Sequence, residues 1–271
     1  MKNLLLLLFS IATAYAQSSA NTMYSITYLN SFKDRISANN PVQEYSRLLV
    51  KGDESIYQMY NTMTLDTLRL NGKLTNNDIN KYFSFTTHTV TIKNNTITFR
   101  DAIDKDEYTY QETAKFNWVL GDKTKTIKGY QCNNATTTYG GRDWEAWYCL
   151  DLPINAGPYK FKGLPGLILN ITDSTKSYDF SFYAIVERPL QELKKLSNKS
   201  NKEINVTDRA TFNRMAYNYE MLSLGEKINY TNTGKKLKVL RVDASESIKL
   251  RDPNKIKKSK DINLIELKTD N

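Results

Sequence analysis

The dominant pattern along this chain is an alternation of apolar and polar residues, which is typical of strands with one buried face. Residues 23–29 (MYSITYL) alternate in this way. So do residues 178–186, where Tyr178, Phe180, Phe182, Ala184 and Val186 alternate with Asp179, Ser181 and Tyr183. Segments of this kind recur over most of the chain, so the pattern predicts a mostly β protein.

Turn residues between the alternating segments predict antiparallel hairpins. Residues 45–50 and 55–60 flank a Lys-Gly-Asp turn, and residues 86–92 and 96–100 flank Asn94-Asn95. Asparagine tolerates the positive φ that tight hairpin turns require. A polar stretch over residues 66–82 interrupts the pattern and has room for a short helix.

The character of the sequence changes beyond Pro189, where residues 190–196 have helical spacing. Thr207-Asp208 is followed by apolar residues three and four positions apart, from Phe212 to Leu222, and Gly225 is a stop signal. This spacing predicts a helix that covers a sheet face, and a partner-binding helix is the alternative. The fold class predicted is mainly β, with a single antiparallel curved sheet (half-barrel) or a sandwich and a C-terminal helix packed on it.

The apolar run at the centre of the chain reads as a turn followed by a buried strand. Gly163-Leu164-Pro165-Gly166-Leu167 combines a residue of fixed φ with a glycine, and this pair favours a type II turn with positive φ at Gly166. Residues 167–171 (LILNI) then form a strand-length apolar run. The stretch contains no nucleophile, general base or metal ligand, so its predicted role is structural.

The first 16 residues have the pattern of an export signal. Lys2 precedes an apolar core over residues 4–11, and Ala14-Tyr15-Ala16 is a cleavage site. The run is too short to span a membrane. No cysteine follows the site, so the expected product, residues 17–271, is one β-rich domain that is periplasmic or secreted and not a lipoprotein.

Positive charge is in excess, with a net charge of +9 over the full chain. The excess gathers in residues 194–202 and 235–260, and we expect the second of these segments to be loosely held. Such a bias favours anionic surfaces in general. The basic runs lack the interleaved aromatics of a nucleic-acid stacking platform, so no nucleic-acid partner is predicted.

Two cysteines bracket a Gly-Gly pair and predict a cross-strand disulfide. If Gly140 and Gly141 are the two-residue loop of a hairpin, Cys132 lies directly opposite Cys149 in a non-hydrogen-bonded pair, where side chains approach closely. An exported chain with two cysteines favours a bridge. A redox-active pair and a metal pair are the alternatives, and both lack a C-x-x-C motif or histidine partners.

Candidate chemistry is sparse. His88 is the only histidine, which excludes HExxH zinc sites, and no G-x-S-x-G, Walker or G-x-G-x-x-G motif occurs. We therefore predict no catalytic residue, metal or cofactor. The acids beside the tryptophans leave a carboxylate-based glycoside hydrolase as an alternative. These acids are Asp143, Glu145 and Asp151. Trp144 and Trp147 fall on opposite strand faces, and the candidate groove consists of Arg142, Trp144, Trp147 and Tyr148.

The central residues resemble those of a known family. Residues 157–169 read GPYKFKGLPGLIL and are preceded by GRDWEAWY at 141–148 and DLPI at 151–154. FNW at 116–118 and NLIEL at 263–267 fit the same layout, with Leu264 where the family often has proline. The chain resembles the GLPGLI family, secreted proteins of Bacteroidetes without an established function. The resemblance implies an association with TonB-dependent receptors.

Three functional hypotheses follow. The first is an exported non-catalytic protein that binds a partner or assists envelope assembly, in association with a TonB-dependent outer-membrane receptor. The second is a periplasmic carrier of an apolar ligand, which requires a hollow between the curved sheet and its covering helix. The third is the glycoside hydrolase, which requires carboxylates that converge in a cleft.

Overall fold

The computed structural model describes residues 23–33, 39–113, 115–188, 204–222, 226–227 and 265–266. The predicted export signal, the predicted helix at 190–196 and the basic segment at 235–260 lie outside the described residues. Within them, the secondary structure comprises twelve strands and three helices. The strands are β1 (Met23–Phe32), β2 (Val42–Lys51), β3 (Glu54–Met59), β4 (Thr89–Lys93), β5 (Thr96–Ile103), β6 (Asp106–Thr113), β7 (Val119–Ile127), β8 (Tyr130–Tyr139), β9 (Arg142–Cys149), β10 (Leu167–Asp173), β11 (Tyr178–Arg188) and β12 (Ile204–Val206). The helices are α1 (Tyr60–Leu70), α2 (Asn76–Lys81) and α3 (Arg209–Glu220).

All twelve strands belong to one sheet, in the order β12-β6-β5-β4-β3-β2-β1-β11-β10-β9-β8-β7. Neighbours pair antiparallel except β12, which runs parallel to β6. The predicted mainly β fold is confirmed, with a sheet that is mixed rather than purely antiparallel and is not closed into a barrel. The predicted hairpin around Asn94 and Asn95 is β4–β5, and both asparagines have positive φ, 46° and 65°.

The sheet is strongly curled. Strands β6 and β8 are second and eleventh in the order, and at the ordinary strand spacing a flat sheet would hold them roughly 43 Å apart. Nevertheless the hydroxyl of Tyr139 on β8 lies 3.2 Å from Oε1 of Glu112 on β6. The two ends of the sheet therefore approach each other and enclose an inner face.

Helix α3 packs on this inner face. Asp208 is its N-cap and accepts a hydrogen bond from the Thr211 N–H at 2.8 Å, as the sequence predicts. The Phe212 ring contacts Phe99 of β5 and Tyr110 of β6, with ring centroids 5.3 and 5.7 Å apart. This contact confirms the predicted C-terminal helix against the sheet.

The polar stretch between β3 and β4 is longer than predicted and holds two helices. It begins at Tyr60, where α1 starts directly from β3. Met63 of α1 forms a small buried cluster with Leu49 and Ile56, separate from the main core. In α2, a capping box joins Thr75 and Asp78. This stretch, residues 60–88, is called the excursion below.

Candidate functional site

The connection between β9 and β10 fills the inner face of the curled sheet. It spans residues 150–166 and carries most of the central motif. Tyr159, Lys160 and Phe161 are buried at its tip. Phe161 packs against Trp144 at 4.8 Å between ring centroids and against Tyr139 at 5.8 Å. This connection, called the plug below, therefore packs inside the curled sheet. The stretch that was predicted to be purely structural thus places a charged residue, Lys160, in the core.

Glycine in the motif serves a different purpose from the one predicted. The predicted positive φ at Gly166 is wrong, since the positive φ of the motif's glycines lies at Gly163, at 99°. A Cβ added to Gly166 would lie 2.0 Å from the Cys149 carbonyl oxygen. Gly166 is needed because the chain entering β10 passes directly against the backbone of β9, a long-range contact that turn chemistry does not reveal. Residues 164–166 form a bend, and the predicted strand follows as β10.

Lys160 is the charged centre of the inner face, with none of its side chain exposed. Its ammonium donates hydrogen bonds to the Tyr110 hydroxyl at 2.7 Å, to Glu112 Oε1 at 2.7 Å and to Glu266 Oε1 at 2.5 Å. These three acceptors use the full donor capacity of an ammonium group. The charge is thus fully compensated inside the protein.

Glu266, near the C-terminus, completes the cluster. Its Oε1 accepts from the Tyr159 hydroxyl at 2.5 Å, and its Oε2 accepts from Arg209 Nε at 2.6 Å and from Asn213 Nδ2 at 3.3 Å. Arg209 Nη1 also reaches Glu112 Oε2 at 3.2 Å. Two cations and two carboxylates therefore form a buried network of zero net charge. Its members, called the ionic cluster below, are Tyr110, Glu112, Tyr139, Tyr159, Lys160, Arg209, Asn213 and Glu266.

The electrostatics of the ionic cluster fix its protonation states. Burial raises the pKa of the Glu266 carboxyl, but the attraction of Lys160 and Arg209 outweighs burial and lowers this pKa from 4.5 to about 2. Burial, reinforced by the charge of Glu266, raises the pKa of the cluster tyrosines well above 10. At neutral pH the carboxylate therefore stays ionised and the phenols stay neutral, which is the state of a structural network rather than of a proton donor and acceptor pair.

His88 lies beside the cluster, just before β4 rather than within it. Its ring is enclosed by Tyr57, Phe99 and Tyr159, at centroid distances of 6.1, 5.6 and 5.3 Å. Burial, with the positive charge of Lys160 as the second cause, lowers the pKa of His88 from 6.5 to about 4. Its Nε2 has no hydrogen-bond partner among the described residues. His88 is a neutral, buried ring at pH 7.

The cysteine hairpin has the predicted register. Gly140 and Gly141 form the turn, both with positive φ, and Cys132 pairs with Cys149. Both cysteines are buried, with free thiols in this structure. Burial, reinforced by the neighbouring Cys149, raises the pKa of the Cys132 thiol to about 11, so this thiol is a poor nucleophile. The disulfide stays a prediction, which intact mass measurement without reductant checks.

The candidate groove residues do not line a groove. Arg142, Trp144, Trp147 and Tyr148 are all buried, so this prediction is wrong. Arg142 Nη1 pairs with Asp173 Oδ2 at 2.8 Å, and Arg142 Nε donates to the Ile265 carbonyl at 3.1 Å. The two tryptophans face opposite sides of β9: Trp144 packs on Phe161 inside, and Trp147 lies under the Lys125 ammonium at 4.2 Å. Side chains therefore cover β9 on both of its faces, with Phe161 on one face and Lys125 on the other, which strand alternation alone does not predict.

The acids beside the tryptophans do not converge. Asp143 accepts a hydrogen bond from Thr138 Oγ1 at 2.8 Å at the surface, and Glu145 Oε1 lies 3.4 Å from Asn134 Nδ2. Asp151 is exposed in the β9–β10 connection. In the part of the chain that the structure describes, no group of three or more histidine, cysteine or acidic side chains is placed to hold a metal ion.

Sequence reasoning missed the ionic cluster, although two of its members carry a signal. Lys160 stands between Tyr159 and Phe161, and Glu266 stands between Ile265 and Leu267. A charge with large apolar residues on both sides is a signal, because charged residues are almost never fully buried unless paired. Such positions indicate buried ion pairs, even though the sequence does not say which charges meet.

Comparison with known proteins gives a local family match and a fold. The model of a family described as "Protein of unknown function (Porph_ging)" matches residues 140–170, which comprise β9, the plug and the start of β10. No curated protein matches the chain. Two solved structures of PNGF-II, in space groups C2 and P21, are similar with a TM-score of 0.51 at 19% and 20% identity. The match covers 73% of this chain and about a third of theirs, 33% and 34%. At this identity the similarity shows the fold alone.

None of the helices among the described residues combines the length and the apolar character needed to cross a bilayer.

Proposed function

We propose that this protein is an exported, non-catalytic binding module of the GLPGLI type, which assists assembly or uptake at the outer membrane in association with a TonB-dependent receptor. The observation that carries the proposal is the filled inner face. The plug and α3 occupy the concave side of the sheet, and the ionic cluster compensates the charges buried there. Partners are therefore bound on the outer surface.

The same observation weighs against the two other hypotheses. A carrier of an apolar ligand requires a hollow, yet Phe161, Tyr159 and Phe212 pack ring to ring with the sheet in the described residues. A glycoside hydrolase requires one carboxyl that is held protonated as a general acid. The attraction of Lys160 and Arg209 lowers the pKa of Glu266 to about 2, so this carboxyl does not hold a proton, and Glu112 is ion-paired with the same two cations.

The fold similarity supports a role as a module. The same fold occurs within PNGF-II chains about three times as long as the matched region. A fold that occurs as one part of a longer chain is compatible with a role as a binding module.

Cross-linking in the native envelope tests the proposal. The tagged full-length chain, expressed with its export signal, is cross-linked in intact cells and purified beside an unrelated exported protein that carries the same tag. We expect a TonB-dependent receptor to be enriched with this chain only. Recovery of the chain without any envelope protein, or hydrolysis of glycans by the purified chain, contradicts the proposal.

A further inference from the structure

The two described residues near the C-terminus, Ile265 and Glu266, belong to no strand or helix. Side chains from the rest of the fold hold them in place. The Ile265 carbonyl accepts a hydrogen bond from Arg142 Nε at 3.1 Å, and the Glu266 side chain, which is only 4% exposed, enters the ionic cluster. These two residues, called the strap below, are therefore docked on the inner face rather than paired into the sheet.

The site that holds the strap supplies hydrogen-bond donors to both oxygens of its carboxylate. Oε1 of Glu266 accepts from the Tyr159 hydroxyl and from Lys160 Nζ, both at 2.5 Å. Oε2 accepts from Arg209 Nε at 2.6 Å and from Asn213 Nδ2 at 3.3 Å. Hydrogen bonds between ionised groups are roughly twice as strong as those between neutral groups. These four donors therefore form a site that is specific for a carboxylate.

The fold positions the two cations of this site without the strap. Lys160 Nζ also donates to the Tyr110 hydroxyl and to Glu112 Oε1, each at 2.7 Å, and Arg209 Nη1 donates to Glu112 Oε2 at 3.2 Å. Arg209 is the first residue of α3, whose N-cap is Asp208. Because the donors are already held in place, a carboxylate does not have to order them when it binds.

The charge of the site is complementary to the strap. Apart from Glu266, the two cations pair with a single carboxylate, Glu112, which leaves one positive charge for a ligand to compensate. Of the neighbouring titratable groups, His88 is neutral at pH 7, and Asp101 accepts a hydrogen bond from Thr87 instead of pairing with either cation. An anionic ligand is therefore favoured over a neutral one.

The site also fits the main chain that carries the carboxylate. A Cβ added to Gly140 would lie 3.1 Å from Glu266 Cγ and 3.2 Å from Glu266 Cα, so the glycine leaves room for the strap. Arg142 recognises the preceding carbonyl, that of Ile265. The site therefore matches a peptide segment that presents a glutamate, and not only a free carboxylate.

We propose that the strap is a detachable peptide ligand of a preformed carboxylate-binding site on the inner face. The ligand class is a peptide segment with a glutamate that follows an apolar residue, and the chain supplies this segment itself. Docking of the strap ties the plug, α3 and the β8–β9 turn together, so its release loosens all three. The inference goes beyond the proposed function and does not depend on a receptor.

Chemical rescue of a full-chain Glu266→Ala variant tests the site. Alanine removes the carboxylate and leaves the four donors, so added acetate can take its place. We expect acetate to raise the midpoint of thermal unfolding by roughly 3 °C at about ten times its dissociation constant. Chloride at the same ionic strength should not have this effect.

The matched control is Glu54→Ala, which removes an exposed carboxylate paired with Lys93. Neither this variant nor the wild-type protein should respond to acetate more than to chloride, because the carboxylate site of both is filled by the strap. The control separates specific binding from a general effect of acetate on protein stability.

A fluorescent peptide of residues 261–271 tests the strap as a ligand. Fluorescence anisotropy should show that the peptide binds to the full-chain Glu266→Ala variant. Binding to the wild-type protein should be roughly tenfold or more weaker, because its own strap occupies the site. Binding of a peptide that has glutamine at position 266 should be weakened to a similar extent.

Three outcomes overturn the inference. The first is a folded Glu266→Ala variant that responds to acetate no more than to chloride. The second is a peptide that does not bind this variant, or that binds equally well with glutamine at position 266. The third is a variant that stays unfolded at every acetate concentration, because the site would then not form without the strap. A variant that folds only in acetate supports the inference.

Discussion

The ionic cluster and the exposed rings of Phe83 and Phe85 in the excursion, called the aromatic patch below, reverse the usual placement of side chains in opposite ways. The cluster buries Lys160 completely, whereas the patch leaves Phe83 and Phe85 more than half exposed. Burial of a charge is tolerated where every donor meets an acceptor, and the cluster meets this condition at its centre. The patch has no such compensation within the fold. The comparison indicates that the charges of the interior are compensated within the fold, whereas the rings at the surface are not covered by the described residues.

The largest expected effect comes from breaking the cluster at its centre. Lys160→Met removes one of the two cations that Glu112 and Glu266 share and leaves Arg209 as the other, with Glu266 still buried. We expect the free energy of unfolding to fall by about 3–5 kcal/mol, measured by urea unfolding. The control is Lys93→Met, which breaks the exposed Lys93–Glu54 pair and should cost less than about 1 kcal/mol. Equal losses in the two variants would contradict the special role of the buried cluster.

A smaller loss is expected where the plug meets β9. Gly166→Ala places a methyl group 2.0 Å from the Cys149 carbonyl oxygen, and a backbone shift must relieve the clash. We expect a loss of about 3 kcal/mol in the free energy of unfolding. Gly72→Ala is the control: Gly72 has φ +65° and nothing near its Cβ, so its cost is limited to about 1 kcal/mol of backbone strain. A Gly166 variant as stable as the Gly72 variant would show that the contact is easily relaxed.

The pH dependence of stability distinguishes the contribution of His88 from that of the ionic cluster, because the two titrate in different pH ranges. The pKa of His88 is about 4 in the fold and 6.5 when unfolded, so the unfolded chain binds the extra proton between these values. The contribution of His88 to stability is fully present above pH 6.5 and is lost, by roughly 3 kcal/mol, as the pH drops to 4. The His88→Phe variant should lose this part of the pH dependence of stability between pH 6.5 and 4. The depressed pKa of Glu266 acts in a lower window, from pH 4.5 to about 2, which the variant should leave intact.

Denaturant titrations at several pH values check this prediction. A His88→Phe variant with the wild-type slope between pH 6.5 and 4 would show that the ring is not desolvated as its aromatic surroundings indicate. The comparison with the variant is needed because burial raises the pKa of Asp101 to about 6, and this carboxyl contributes with the opposite sign in the same window.

The smallest effect on stability is expected in the patch. Phe83→Ala with Phe85→Ala removes two exposed rings whose surroundings are mainly solvent. The free energy of unfolding should change by less than about 0.5 kcal/mol. Thermal or urea unfolding measures this change. A loss as large as that of Lys160→Met would mean that the rings are part of the core and would remove the contrast between the two regions.

Local signals in the sequence were sufficient for much of the fold. Asn94-Asn95 placed the β4–β5 turn, Gly140-Gly141 set the register of Cys132 and Cys149, and Asp208 marked the start of α3. Each of these features depends on residues close together in the chain, where turn and capping preferences operate.

The rest depends on contacts that are distant in sequence. The contact of Lys160 with Glu266 joins residues 106 positions apart, and the close approach of Gly166 to Cys149 depends on how β10 enters beside β9. Strand β12 has only three residues and pairs parallel to β6, which no alternation pattern of that length reveals. The aromatic patch was likewise hidden, because the sequence does not state which apolar side chains the curled sheet leaves outside.

A double-mutant cycle between Lys160 and Glu266 tests the buried, charge-balanced interior most directly. Urea unfolding of Lys160→Met, Glu266→Gln and the double variant gives the energetic coupling of the pair. The structure predicts large single losses and a coupling of about 2 kcal/mol. Single losses below about 0.5 kcal/mol that simply add in the double variant would contradict it, because Glu266 would then not be held on the inner face by Lys160.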